Sequence, residues 1–309
     1  MYVSSLGVQG FAALPSWQGE LGRVARLGGP ARSRAAVSDA LLLLAASFDR
    51  AALAALLHGW GAEAHEILGG PLPEGATFTG PRSLRSVVAP GAEGMLRVTG
   101  TLRLDPPLFG KLRQFAVRDV RLVDALGSEP TVTLKVGARF SPEFDAVGVD
   151  LLAFAVGRES FAVAGKERPD WLDRFFRALS GRIGRGPLAQ AGWIARAGRW
   201  DPESQHAVRR GLRELSRMLP GQGLELVMMP EGIAGLGAAE LVPLRRLGAG
   251  AERAAGLVGA VWLSGAEVLV IDEPPVGRRW RAWLAAAAET SGSPLEQLVI
   301  FDDDGAPLG

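Results

Sequence analysis

Four apolar, β-favouring residues, Val268-Leu269-Val270-Ile271, run without polar interruption into Asp272-Glu273-Pro274. A strand that lacks polar alternates is buried on both faces, and such strands belong to parallel sheets covered by helices. The segment reads as a buried parallel strand, an element of α/β architectures. It also sets two carboxylates directly after a buried strand.

The length, 309 residues, is enough to bury a large core, as one big α/β domain or as two lobes. With 48% apolar residues the chain is not of the disordered class. A formal net charge of +1 offers no global electrostatic case for nucleic acid or membrane. The absence of cysteine excludes disulfides and thiolate metal sites and fits a reducing cytoplasm. The abundance of Ala, Gly, Arg and Leu fits a GC-rich bacterial genome. The stretch from Met1 to Leu6 lacks the basic start and apolar core of a signal peptide. The most apolar run, Ala40 to Ala46, is too short to span a bilayer. His58, His65 and His206 make no metal-ligand spacing, so no metal is expected.

Along the chain, Leu6-Gly7-Val8-Gln9-Gly10-Phe11 reads as a strand. An apolar segment around Val24 leads into the turn signal Gly28-Gly29-Pro30. Ala35 to Leu57 reads as a helix buried on most sides, and the stretch from Gly69 to Gly80 as loop. Val87 to Val163 is mostly β, with strands at Leu96 to Leu104, Val117 to Val123, Val132 to Val136, Val147 to Ala155 and Phe161 to Ala164. Turn residues at short intervals there predict an antiparallel meander. Helical stripes then follow at Trp171, Phe175 and Leu179 and at Val208, Leu212, Leu215 and Leu219, with a glycine-rich stretch from Gly181 to Gly198 between them. Strands at Leu224 to Met229 and Leu298 to Phe301, and helices at Ala251 to Leu263 and Arg278 to Glu289, complete the pattern. The division expected is 1–165, a helical lobe at 166–223, and 224–309.

The order of these pieces resembles the head domain of SMC/RecF-type ABC ATPases. The resemblance implies a P-loop NTPase-like α/β fold with a mixed sheet, an antiparallel β subdomain and a helical lobe. In that family a strand ending in Asp-Glu is the Walker B element. Asp272 would hold Mg²⁺ through water and Glu273 would polarise the attacking water; the pair also fits a helix or turn cap. The family's phosphate loop, Gly-x-x-x-x-Gly-Lys-Ser/Thr between a strand and a helix, corresponds to Gly29-Pro30-Ala31-Arg32-Ser33-Arg34-Ala35-Ala36. Gly29 matches. Arg34 stands for the second Gly, where a side chain opposes closure round the phosphates by about 1 kcal/mol or more. Ala35 stands for the Lys that neutralises phosphate oxygens, and Ala36 for the hydroxyl that ligates Mg²⁺. Arg32 and Arg34 keep positive charge but not that geometry. Taken alone, the window fits a plain turn before a helix better; the N-terminal strand and the Walker B-like strand shift the reading to a decayed phosphate loop.

Leu247-Gly248-Ala249-Gly250-Ala251-Glu252-Arg253 resembles the family's signature segment, which caps the γ-phosphate held by a partner. Gly248, Gly250, Glu252 and Arg253 are its candidate residues, and an ordinary glycine-rich helix start is the alternative. Leu263-Ser264-Gly265 lies too close to Asp272 to serve. No switch histidine follows the last strand, where Asp302-Asp303-Asp304 stands instead; three carboxylates there could hold a divalent cation, though a solvated acidic turn is commoner, and Gln114 is the one candidate for a lid-loop glutamine.

These losses lead to an expected pseudo-ATPase that binds no cofactor of its own. It would act as a structural or regulatory subunit in a homo- or hetero-oligomer, beside an active ATPase partner. An atypical ATPase using Arg32 or Arg34 with ATP and Mg²⁺ is the second reading. The third is a nucleic-acid-binding module. From Lys166 to Arg217 there are 12 Lys/Arg against 6 Asp/Glu, a local +6, interleaved with Trp171, Trp193 and Trp200. A solvated arginine face with core tryptophans explains the same composition.

Overall fold

The computed structural model describes residues 1–11, 13–46, 89, 95–116, 131–140, 147–156, 159–164, 182–185, 188–219, 225–237, 240–272, 278–289, 295–302 and 305–308. The chain divides into two units, Met1–Gly181 with Asp303–Gly309, and Arg182–Asp302.

In the first unit, β1 (Tyr2–Phe11), β2 (Leu14–Glu20) and β3 (Val24–Gly28) lead into helix α1 (Ala31–Ala46). Then come β4 (Met95–Arg103), helix α2 (Pro106–Ala116), β5 (Thr131–Phe140), β6 (Val147–Val156) and β7 (Glu159–Ala164). Six of the strands form one antiparallel sheet in the order β2-β1-β4-β5-β6-β7, the expected meander flanked by the N-terminal hairpin. Its alternation is clearest in β4, where Leu96, Val98 and Leu102 are buried while Arg97 and Arg103 face solvent. Gly100 leaves room on that strand for the side chain of Leu44, which brings α1 onto the sheet. Burial of nearly every residue from Ser33 to Leu44 matches the broad apolar stripe of α1.

Two features of this unit differ from the sequence reading. Helix α1 starts at Ala31, four residues before the expected start, and the expected continuation from 47 to 57 lies outside the described residues. The segment after β4 is helical, not β. Asp105 accepts the Leu108 N–H at 2.7 Å and Pro106 opens α2, a capped helix start inside a β-rich window. The strand expected at Val117 to Val123 and the stripe at Trp171, Phe175 and Leu179 lie outside the described residues.

The second unit opens with β8 (Ile183–Arg185), inside the stretch read only as glycine-rich. Helices α3 (Gln190–Ala197) and α4 (Pro202–Met218) follow. Strands β9 (Glu225–Met229), β10 (Gly232–Leu236) and β11 (Leu241–Pro243) form an antiparallel sheet in the order β11-β10-β9. A 3₁₀ turn, Leu244–Leu247, leads into α5 (Ala249–Leu263), then β12 (Val268–Asp272), α6 (Arg278–Glu289) and β13 (Gln297–Phe301). Strand β12 pairs in parallel with β13 on one side and β8 on the other. Val268 to Ile271 and all of β13 are buried, as an uninterrupted apolar run requires. Each apolar side chain among them contributes about 1.5–3 kcal/mol on leaving water. With its parallel strands, antiparallel sheets and packed helices, the chain is an α/β protein.

The helices of this unit are keyed by Trp193 of α3, which is wholly buried and donates its indole N–H to the Ala255 carbonyl at 3.0 Å. Gly211 on α4 and Gly259 on α5 leave the slot that the indole fills. At the start of α4, Asp201 accepts the Ser204 N–H at 2.7 Å, with Pro202 next in the chain. No helix among the described residues is long and apolar enough to cross a membrane.

Candidate functional site

The strand-to-helix turn of the first unit decides what can be held after β3. Strand β3 ends at Gly28 and α1 begins at Ala31, so the turn consists of Gly29 and Pro30 alone. The Arg34 N–H already donates to the Pro30 carbonyl at 3.1 Å. Ala31, Arg32 and Ser33 therefore lie in the first helical turn, where a phosphate loop would need them free. Arg32 is exposed and Arg34 half-buried, while Ala35 and Ala36 are buried. Ser33 is buried as well, with its hydroxyl donating to the Ala13 carbonyl at 3.2 Å.

The turn is also covered. The chain segment 305–308 lies along it, with Ala306–Pro307 pairing in parallel with Leu27 and Gly28 as strand β14. The Leu308 N–H donates to the Gly28 carbonyl at 2.7 Å. Gly29 adopts φ +144°, and a Cβ there would stand 3.3 Å from Leu308 Cβ. Nothing in the sequence marked 305–308 as the cover of this turn; the absence of a Cβ at Gly305 permits so close an approach to Leu27 and Gly28.

In the second unit the signature-like segment is open. Gly248 takes φ +99°, a left-handed value suited to glycine, and links the 3₁₀ turn to α5. Its carbonyl accepts the N–H groups of Ala251 at 3.0 Å and Glu252 at 3.4 Å. No side chain caps this helix start, and a Cβ on Gly248 or Gly250 would meet nothing within 4 Å. Glu252 and Arg253 are exposed on the first turn, with Arg245 and Arg246 exposed just before it. Free N–H groups and the positive end of the helix dipole make this end suited to an anion. The structure thus groups Gly248, Gly250, Glu252 and Arg253 on one helix start, and Gly29, Arg32, Arg34, Ala35 and Ala36 on one turn and the helix it opens.

Asp272 is the last residue of β12, in register with Phe301; Glu273 lies outside the described residues. Asp302, first of the three aspartates after β13, is buried, unlike a solvated acidic turn. Gln114 is exposed on α2. Among the described residues, no cluster of His, Cys, Asp and Glu could hold a metal ion. Sequence reading gave the basic bias around α4 but not its geometry. His206, Arg209, Arg210, Arg213, Glu214 and Arg217 line a groove of about 340 Å³ on that helix.

No family model and no curated protein matches the chain. Among solved structures it is similar to the recombination mediator protein RecF of the RecFOR pathway. With ATP the TM-score is 0.41 at 10% identity, covering 98% of this chain and 94% of that one. With ATPrS the TM-score is 0.39 at 11% identity, covering 97% and 92%. A bacterial Atm1-family ABC exporter with ATP bound gives 0.37 at 10% identity, covering 97% of this chain and 35% of the exporter. At such scores the likeness assigns neither activity nor ligand to this chain.

Proposed function

We propose that this chain is a pseudo-ATPase of the ABC/SMC-head type, a structural or regulatory subunit that holds no ATP at its own phosphate turn. The observation that carries this reading is the Gly29-Pro30 turn. Two residues cannot encircle a phosphate, and the segment 305–308 closes what opening they leave. The chemistry agrees with the geometry, since Ala35 and Ala36 supply neither the cation nor the hydroxyl that Mg-ATP requires. The uncapped, exposed start of α5 at Gly248 supports the sharper form of the reading, in which it caps the γ-phosphate on an ATPase partner.

Isothermal titration of the chain with Mg-ATP tests the first part. A flat trace is expected; saturable binding weakened by Asp272→Asn would overturn it in favour of an atypical ATPase. Co-expression with an intact ATPase of the same class tests the second. The complex should turn over ATP, and Gly248→Trp with Gly250→Trp should lower that rate at least about tenfold, the scale lost with a single transition-state contact. A rate indifferent to both substitutions removes the capping role and leaves the empty turn standing.

A further inference from the structure

We propose that the outer face of α4 is a binding site for a chain of phosphates, of the kind a single nucleic-acid strand or a polyphosphate presents. The proposal is independent of the nucleotide reading. Arg209, Arg213 and Arg217 are spaced four residues apart on an exposed helix face, about 6 Å per step along the axis, with His206 one turn earlier. The row runs for about 16 Å, a shape that suits a linear polyanion better than a compact one.

Of the three arginines in the row, Arg217 is paired with Glu214, and the charges of Arg209 and Arg213 are not neutralised in place. Glu214, the single carboxylate lining the groove among the described residues, is turned to its neighbours: one oxygen takes Arg217 at 3.0 Å and the other accepts the Trp283 indole N–H at 3.3 Å. Arg210 lies with its guanidinium 4.0 Å from the centre of the Trp262 ring, which fixes its position without cancelling its charge. Among the described residues, the side chains of Arg209 and Arg213 have neither ion pair nor hydrogen bond. The helix dipole accounts for Arg217 in the last turn; Arg209 and Arg213 stand too far from that end to be explained by it.

A second feature points to a nucleic-acid strand over an acidic peptide. Trp200, immediately before the α4 cap, is 95% exposed. Its turn is held rigid, because Gln205 donates its side-chain amide to the carbonyls of Ala197 at 2.8 Å and Arg199 at 2.7 Å. A basic row on a helix, preceded in the chain by a bare aromatic on a braced turn, supplies the two elements that grip single strands, phosphate neutralisation and base stacking.

The test is fluorescence anisotropy of the intact chain with a labelled oligothymidylate of about 16 nucleotides, at about 50 mM salt. Inorganic polyphosphate and polyglutamate of matched charge serve as competitors. Saturable binding is expected, displaced by polyphosphate and at least about tenfold less well by polyglutamate, and falling steeply by about 200 mM salt. Arg209→Glu with Arg213→Glu should weaken it at least about tenfold. Arg209→Gln with Arg213→Gln gives the same readout should the reversed pair fail to fold by circular dichroism. Trp200→Ala distinguishes the sources: a loss of about fivefold or more for the oligonucleotide alone identifies a single strand, and unchanged affinity identifies polyphosphate. Absence of saturable binding, equal competition by polyglutamate, or indifference to the arginine substitutions overturns the proposal.

Discussion

The indole of Trp193 occupies the space that a Cβ on Gly259 would need, its Nε1 standing 2.5 Å from that position. On its other side a Cβ on Gly211 would stand 2.7 Å from the ring. One side chain thus sets the approach of α3, α4 and α5, and two glycines exist to admit it. Gly259→Ala should destabilise the protein by about 1–3 kcal/mol through overpacking, and Trp193→Ala by about 3–5 kcal/mol through the cavity it leaves. Combining Gly259→Ala with Trp193→Leu should recover part of the first loss, a coupling of about 0.5–3 kcal/mol. Urea unfolding midpoints measure all three, and a neutral Gly259→Ala would contradict the keyed arrangement.

The covered turn makes a separate prediction. A Cβ on Gly305 would fall against the backbone of Leu27 and Gly28, 2.6 Å from both of their nitrogens. Backbone cannot move aside as a side chain can. Gly305→Ala should therefore lift the segment 305–308 from β3, and Leu308→Ala should cost about 2–5 kcal/mol where Leu308 is buried. Hydrogen exchange checks this directly: the Leu308 amide, protected by Gly28, should exchange faster in Gly305→Ala. Unchanged protection would mean the segment is held by something other than this contact.

What the sequence disclosed follows from how local each cause is. Strands β12 and β13 were legible because uninterrupted apolar runs admit few other environments. Helix α4 was legible from its stripe, and α5 from its alanine-rich run. Strand β2 was not, since Pro15, Gly19 and three other non-apolar residues hide it; it persists because it is an edge strand pairing only with β1. Helix α2 carried a readable cap, Asp105-Pro106, that the surrounding β pattern overrode. The decisive property of the Gly29-Pro30 turn was its length. Ala31-Arg32-Ser33 is compatible with loop or helix, and only the packing of α1 and the long-range arrival of residues 305–308 select between them.

The cap of α4 gives a pH dependence of known sign. Hydrogen bonds from Ser204 hold the Asp201 carboxyl below its usual range. A lowered folded value means the stabilisation is fully present above the unfolded carboxylate range and is lost as pH falls through the lowered value. Asp201→Ala should therefore lower the unfolding midpoint at about pH 7, and the gap from the unmodified chain should narrow as pH falls below the unfolded carboxylate range. A gap that stays constant across this range would show that Asp201 acts through something other than its charge.

On the proposed reading, placing phosphate-loop residues after the Gly29-Pro30 turn separates geometry from composition. If substitution alone had emptied the turn, Arg34→Gly with Ala35→Lys and Ala36→Ser would restore Mg-ATP binding. The structure predicts otherwise. Ala35 and Ala36 are buried within α1, so a lysine at 35 would place its chain in the core and lose solvation of its charge. The glycine at 34 would sit in a helix, where it weakens the fold by about 1 kcal/mol without opening a loop. The triple variant should unfold at lower urea than the unmodified chain and give no saturable heat with Mg-ATP. Adding a loop insertion between Gly29 and Ala31, with residues 305–309 removed, is the change that addresses the geometry. Binding regained by the triple substitution alone would show that the two-residue turn rearranges around a phosphate and that the closed form is only one of its states.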